Sequence, residues 1–234
     1  MLFSARNLTK RYAAGSGGCS VVARVLAGVD LELRPGLILG IVGERGSGKT
    51  TLLRCVAGLA RPDLGALRWS APAQRARIVA LAPAAHSFET VRDVADRACG
   101  DSLVSPQRMA AMLGDLGLAA LSARPLAVLT TDERARLALA IGASVRHPLL
   151  LLDGTADALA AASRPAVRAC LQQHAAHHGA VVLTGRDPAA VTALAMEIRW
   201  LADGRLRAPA SVAAAEPPRA PARVAEPPLG RSVR

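Results

Sequence analysis

The chain has 234 residues, of which 51% are apolar and 2% aromatic, and a formal net charge of +11. That apolar content suits an α/β domain with a small subdomain, while the longest apolar runs, 37–42 and 149–152, are strand-sized and fall short of the ~18 residues a membrane helix needs. All of the positive charge except Lys10 and Lys49 is arginine, and with so few rings to stack on bases no nucleic acid is expected as a partner.

The first twelve residues carry Arg6, Lys10 and Arg11 with no apolar stretch behind them, unlike a secretory signal. Residues 2–12 and 25–34 read as strands separated by a Gly/Ser-rich turn at 15–20. A turn at 35–36 leads into a buried strand, 37–42, then a glycine-rich loop and a helix over 50–60. Residues 67–70 and 76–81 read as strands and 83–87 as a loop. Short helices over 90–99, 106–116 and 118–124 form a helical insert, about 87–130. A longer helix over 132–145 precedes a second buried strand, Leu149–Asp153. The helix 165–178, capped by Gly179, leads to a third buried strand, 180–184. Residues 192–194 and 198–201 are placed around a turn at 202–204. The tail 207–234 is Pro, Ala, Arg and Glu with almost no large apolar residue, which reads as disordered. Cys19, Cys55, Cys99 and Cys170 are far apart and form no CxxC pair, so reduced thiols are expected.

The loop carries the chemistry. Gly43, Glu44, Arg45, Gly46, Ser47, Gly48, Lys49 and Thr50 match G-x-x-x-x-G-K-[ST] at every fixed position, with Thr51 next, between a buried strand and a helix. Glycines let the backbone curl so that its N–H groups point at phosphate oxygens. The helix start adds its positive end. Lys49 then serves the β and γ phosphates, and the Thr50 hydroxyl is a magnesium ligand. A purine nucleoside triphosphate with Mg²⁺ is the expected ligand.

The sequences LTKRY, GVDLELRPG and ILGIVGERGSGKTTLLRCVAGLARPDLG, together with the strand LLLLD, resemble the ATP-binding cassette domain, the motor subunit of ABC transporters, over about residues 2–206. That resemblance implies an α/β P-loop NTPase of ABC type, with a mainly parallel core sheet, an N-terminal antiparallel β part and a helical subdomain. It implies that Tyr12 stacks on adenine and that Asp153 holds magnesium through water, with ATP and Mg²⁺ as the ligands. It also implies a membrane permease, docked through the helical insert, and a second ATP-binding cassette in a homodimer or heterodimer. The expected location is cytoplasmic, peripheral at the inner face of the cell membrane.

Other family motifs are altered. The Glu that polarises the attacking water is replaced by Gly154, and Gly185 is taken to stand at the switch histidine. Ala84 replaces the Gln-loop glutamine, and Ala160 stands near the place of the D-loop aspartate. The signature reads Leu129-Thr130-Thr131-Asp132-Glu133, without its two glycines, and Asp132 is expected to face the phosphate of an opposing subunit. Asp157 and Asp187 are the only nearby acids left. His174, His177 and His178 precede the third buried strand and lie at its far end; their spacing suits a metal site or a favourable helix end. ATP–Mg binding with slow or absent hydrolysis follows. The alternatives are an active ATPase energising transport through a membrane permease, and a soluble ATP-binding regulatory protein.

Overall fold

A computed structural model describes residues 1–14, 21–70, 76–80, 89–100, 104–145 and 147–208. The expected turn at 15–20, the Gln-loop position Ala84 and all but the first two residues of the tail lie outside them.

The first two strands, β1 (Phe3–Ala14) and β2 (Val21–Leu33), pair antiparallel, and β4 (Leu64–Trp69) joins the other edge of β1. Apolar residues at Phe3, Ala5 and Leu8 are fully buried, and the Phe3 and Trp69 rings meet at 4.7 Å. The ladder shifts register between Ala5 and Leu8, where Asn7 takes φ 51 and its N–H donates to Asp30 Oδ1. Such a bulge bends the sheet over what lies beneath it.

The second sheet has the order β5-β6-β7-β3-β8-β9. Its members are β3 (Ile38–Val42), β5 (Ala76–Ala80), β6 (Leu149–Asp153), β7 (Ala180–Gly185), β8 (Glu197–Ala202) and β9 (Arg205–Arg207). All neighbours are parallel except β8 and β9. β3 and β7 are buried at every residue, and so is β6 up to Asp153, which explains why they read as unbroken apolar runs. Each leucine buried this way contributes about 1.5–3 kcal/mol.

The two faces of this sheet are covered differently. Helix α1 (Lys49–Val56) packs with the antiparallel sheet on one face, through Leu52, Leu53, Cys55 and Val56. On the other lie α2 (Val91–Gly100), α3 (Pro106–Asp115), α4 (Thr131–Ser144), α5 (Thr155–Ala158), α6 (Arg164–His178) and α7 (Pro188–Leu194). Adjacent strands β3 and β7 therefore feed helices on opposite faces. The carboxyl ends of two such strands are where α/β sheets place ligands.

Several boundaries differ from the sequence reading. Helix α1 stops at Val56, because Gly58 turns to φ +74. The stretch 118–124 holds only a 3-10 turn, Ala119–Leu121. Residues 192–194 end helix α7, whose start is marked by Pro188 at its first turn and by Asp187 Oδ1 accepting from the Ala189 N–H. The turn at 202–204 joins β8 to β9 alone. Among the described residues no helix is long and apolar enough to cross a membrane.

Candidate nucleotide site

The loop leaves β3 at Val42. Its first residue, Gly43, donates its N–H to the Gly185 carbonyl at 3.2 Å, which fixes the loop beside the end of β7. Gly46 and Gly48 adopt φ +84 and +102. A Cβ on Gly48 would sit 2.8 Å from the Val25 carbonyl, and one on Gly43 would sit 2.7 Å from Ser47 Oγ. Only glycine permits this curl under β2. Helix α1 then starts with no side chain capping it, so its first N–H groups are available to an anion. Glu44, Arg45, Gly46 and Thr50 are exposed, and Ser47 and Thr51 half-buried.

Lys49 spans the loop. Its Nζ donates to the Gly43 carbonyl at 2.6 Å, the Glu44 carbonyl at 2.7 Å and Ser47 Oγ at 3.4 Å. Partial burial pulls its ammonium below the ordinary lysine value, against the opposing pull of the Asp157 and Asp153 carboxylates; the Arg186 guanidinium adds to the lowering. Those four charged groups thus share one site.

Asp153 ends β6, and its Oδ1 lies 3.1 Å from the Thr184 hydroxyl. The Thr50 hydroxyl and the Asp153 carboxylate are hard oxygen ligands of the kind Mg²⁺ takes. The curled amides, the ammonium and these oxygens fit a nucleoside triphosphate with Mg²⁺. Tyr12 stands on β1 opposite Ala23, two residues before the Val25 that covers Gly48. Tyr12 as a residue is 41% exposed, with Lys10 Nζ 5.4 Å from the centre of its ring.

The family model described as ABC transporter matches residues 26–156. The chain belongs to that family. It is 37% identical over 196 residues to an aliphatic sulfonates import ATP-binding protein of Nocardia farcinica, covering 82% of this chain and 76% of the relative. It is 34% identical over 204 residues to a hemin import ATP-binding protein of Streptomyces coelicolor, covering 79% and 71%. Among solved structures, an ATP-binding subunit of an ABC transporter superimposes with a TM-score of 0.72 at 17% identity, over 89% of each chain. An ATP-binding cassette solved as a dimer after hydrolysis, with ADP and phosphate, gives 0.71 at 19% identity, over 88% of this chain and 96% of that one. ABC cassettes bind ATP with Mg²⁺.

Two sequence assignments in this ABC cassette change, those of Asp157 and Asp132. Gly185 is the last residue of β7, and a Cβ there would meet Val191 Cγ2 at 2.7 Å and Asp157 Oδ1 at 3.0 Å, so any side chain there needs those two to shift. The next residue, Arg186, leaves the strand on the Lys49 side, where its guanidinium adds to the lowering of the Lys49 ammonium. Its side chain, 64% exposed, pairs with Asp157 at 3.2 Å.

Asp157 is not a spare acid. Its carboxylate accepts the backbone N–H groups of Arg186, at 2.8 and 2.9 Å, and of Asp187, at 3.1 Å. Burial pushes its carboxyl up, but these N–H groups and the Arg186 side chain bring it below its ordinary value.

Asp132 does not face outward as expected. It accepts from the Ala160 N–H at 2.8 Å, Ser163 Oγ at 2.9 Å and Arg136 Nε at 2.9 Å, with its side chain 17% exposed. Arg136 also donates to the Leu116 carbonyl at 2.5 Å. The pair ties α4 to the end of α3 and to the segment after α5. Asp132→Ala should therefore cost about 2 kcal/mol, read as a lower urea midpoint with an unchanged m-value. Thr130 instead caps α4, its hydroxyl accepting from Glu133 N while the Glu133 carboxylate accepts from Thr130 N.

The histidines of α6 precede β7 at Ala180, while the loop meets β7 at Gly185. Among the described residues no group of three or more His, Cys, Asp or Glu gathers around a metal-sized site. Of the cysteines, Cys55, Cys99 and Cys170 are free thiols, and burial pushes Cys170 up to about 12.

Proposed function

We propose that this ABC transporter ATP-binding subunit holds ATP with Mg²⁺ in the loop 43–50 and hydrolyses it slowly or not at all. The observation that carries this reading is Gly154, which follows Asp153 and has no side chain to orient a water. Among the described residues a Cβ there would meet nothing within 4 Å, so none of their side chains fills the place. Help of that kind is worth about 10²–10⁴-fold. The two other acids support the reading by their engagement: Asp157 holds the N–H groups after β7, and Asp187 caps α7. In this reading Gly43 to Thr51 cradle the phosphates, Thr50 and Asp153 hold magnesium, and Tyr12 stacks on adenine.

The subunit docks on a membrane permease through its helical part, about 87–130, at the inner face of the cell membrane, and pairs with a second cassette, its own copy or another. The printed names of its relatives support a transport role: they include import proteins and a cytochrome c biogenesis export protein of Bordetella parapertussis, 36% identical over 171 residues, 66% of this chain and 74% of the relative. Direction thus follows the permease. Steady-state phosphate release tests the catalytic claim. Turnover below about 0.1 s⁻¹ is expected, whereas a value of about 1 s⁻¹ or more, within the ordinary enzyme range, overturns it.

A further inference from the structure

The neighbour of Asp153 on the next strand is a polar residue in an otherwise apolar run. Register pairs Leu152 with Leu183, which places Asp153 beside Thr184. Thr184 is fully buried. Its hydroxyl accepts the Gly154 N–H at 2.9 Å and lies 3.1 Å from Asp153 Oδ1 and 3.5 Å from the Leu152 carbonyl. A hydroxyl has a single hydrogen, and an ionised carboxylate only accepts. The Gly154 N–H takes a lone pair, so the hydrogen goes to the nearer, charged acceptor, Asp153 Oδ1. Gly154 presents its N–H from φ +66, a backbone state that glycine adopts without strain. Among the described residues Asp153 Oδ2 accepts no hydrogen bond, which leaves that oxygen uncommitted.

We propose that Thr184 is a positioning residue for the magnesium carboxylate: through its hydroxyl it locks Asp153 and couples that carboxylate to the backbone at Gly154. This rests on the reading of Asp153 as a magnesium ligand. Partners that orient a ligating carboxylate typically change metal affinity about 10- to 100-fold when removed. Being fully buried, with its hydroxyl on Asp153 and Gly154, Thr184 acts through the carboxylate and not on the nucleotide itself.

The test uses the full chain and a fluorescent ATP analogue, titrated with Mg²⁺ and, separately, in EDTA. Thr184→Val keeps the shape and removes the hydroxyl. It should raise the Mg²⁺ concentration for half-maximal enhancement of binding about tenfold and leave affinity in EDTA within about twofold. Thr184→Ser restores the hydroxyl and should return the Mg²⁺ midpoint to within about twofold of the unmodified chain. An unchanged midpoint in Thr184→Val, or an equal loss with and without Mg²⁺, overturns the proposal. If Thr184→Val does not fold, Thr184→Ser and Thr184→Ala carry the same comparison. Asp153→Asn separates the two layers: if it abolishes the Mg²⁺ effect while Thr184→Val does not alter it, only the role of Thr184 falls. If Asp153→Asn changes nothing, the metal reading of Asp153 falls too, and Thr184 with it.

Discussion

Gly154→Glu combined with Arg186→His is expected to raise ATP turnover about ten- to a hundredfold over the unmodified chain. Among the described residues there is space for the new carboxylate, since a Cβ at Gly154 meets nothing of theirs within 4 Å. The cost is conformational: Gly154 sits at φ +66, and a side chain there is strained by about 1–3 kcal/mol. Arg186 is the partner substitution because it leaves β7 at the site, whereas a side chain at Gly185 would run into Val191 and Asp157. The gain stays below the full value of a general base because the signature segment still lacks its glycines. Gly154→Ala is the control. It imposes the same backbone strain without a carboxylate, so it should lower the melting temperature and leave phosphate release unchanged.

Lys49→Ala is expected to weaken ATP binding about a hundredfold. Its ammonium is already partly desolvated by the loop, so the cost of burying it is met before nucleotide arrives. Without ligand it rests on two backbone carbonyls and a serine hydroxyl, contacts that a terminal phosphate can replace with a stronger, charged partner. The variant should keep its unfolding temperature nearly unchanged in buffer, since those contacts lie at the rim of α1 and not in the core. It should lose the rise in melting temperature that ATP–Mg gives the unmodified chain. Differential scanning fluorimetry with and without ATP reads both effects in one experiment.

The core of the site was readable from residue types alone. Three continuous apolar runs became β3, β6 and β7, because strands covered on both faces need no polar alternation. The glycine-rich loop between β3 and α1 was readable for a related reason: its conformation admits almost no other residue at Gly48. What the sequence hid depends on register and on tertiary contacts. Gly185 and Arg186 are adjacent, and which of them still belongs to the strand depends on where β7 ends, which the pairing of Val42 with Gly185 decides. Asp132 read as an outward charge because the serine and backbone amide it accepts from lie 28 to 31 residues later in the chain. Thr184 carried a signal that was overlooked: a hydroxyl one residue before the end of a buried strand, next to a strand that ends in aspartate. Helix α7 carried one as well, in its Asp-Pro start.

A single sample tests binding without turnover most directly. The unmodified chain is incubated with ATP and Mg²⁺, separated from free nucleotide, denatured, and its bound nucleotide identified by ion-exchange chromatography over successive minutes. Intact ATP recovered near one equivalent per chain is the expected result, and ADP appearing at the same stoichiometry within the first seconds would contradict it.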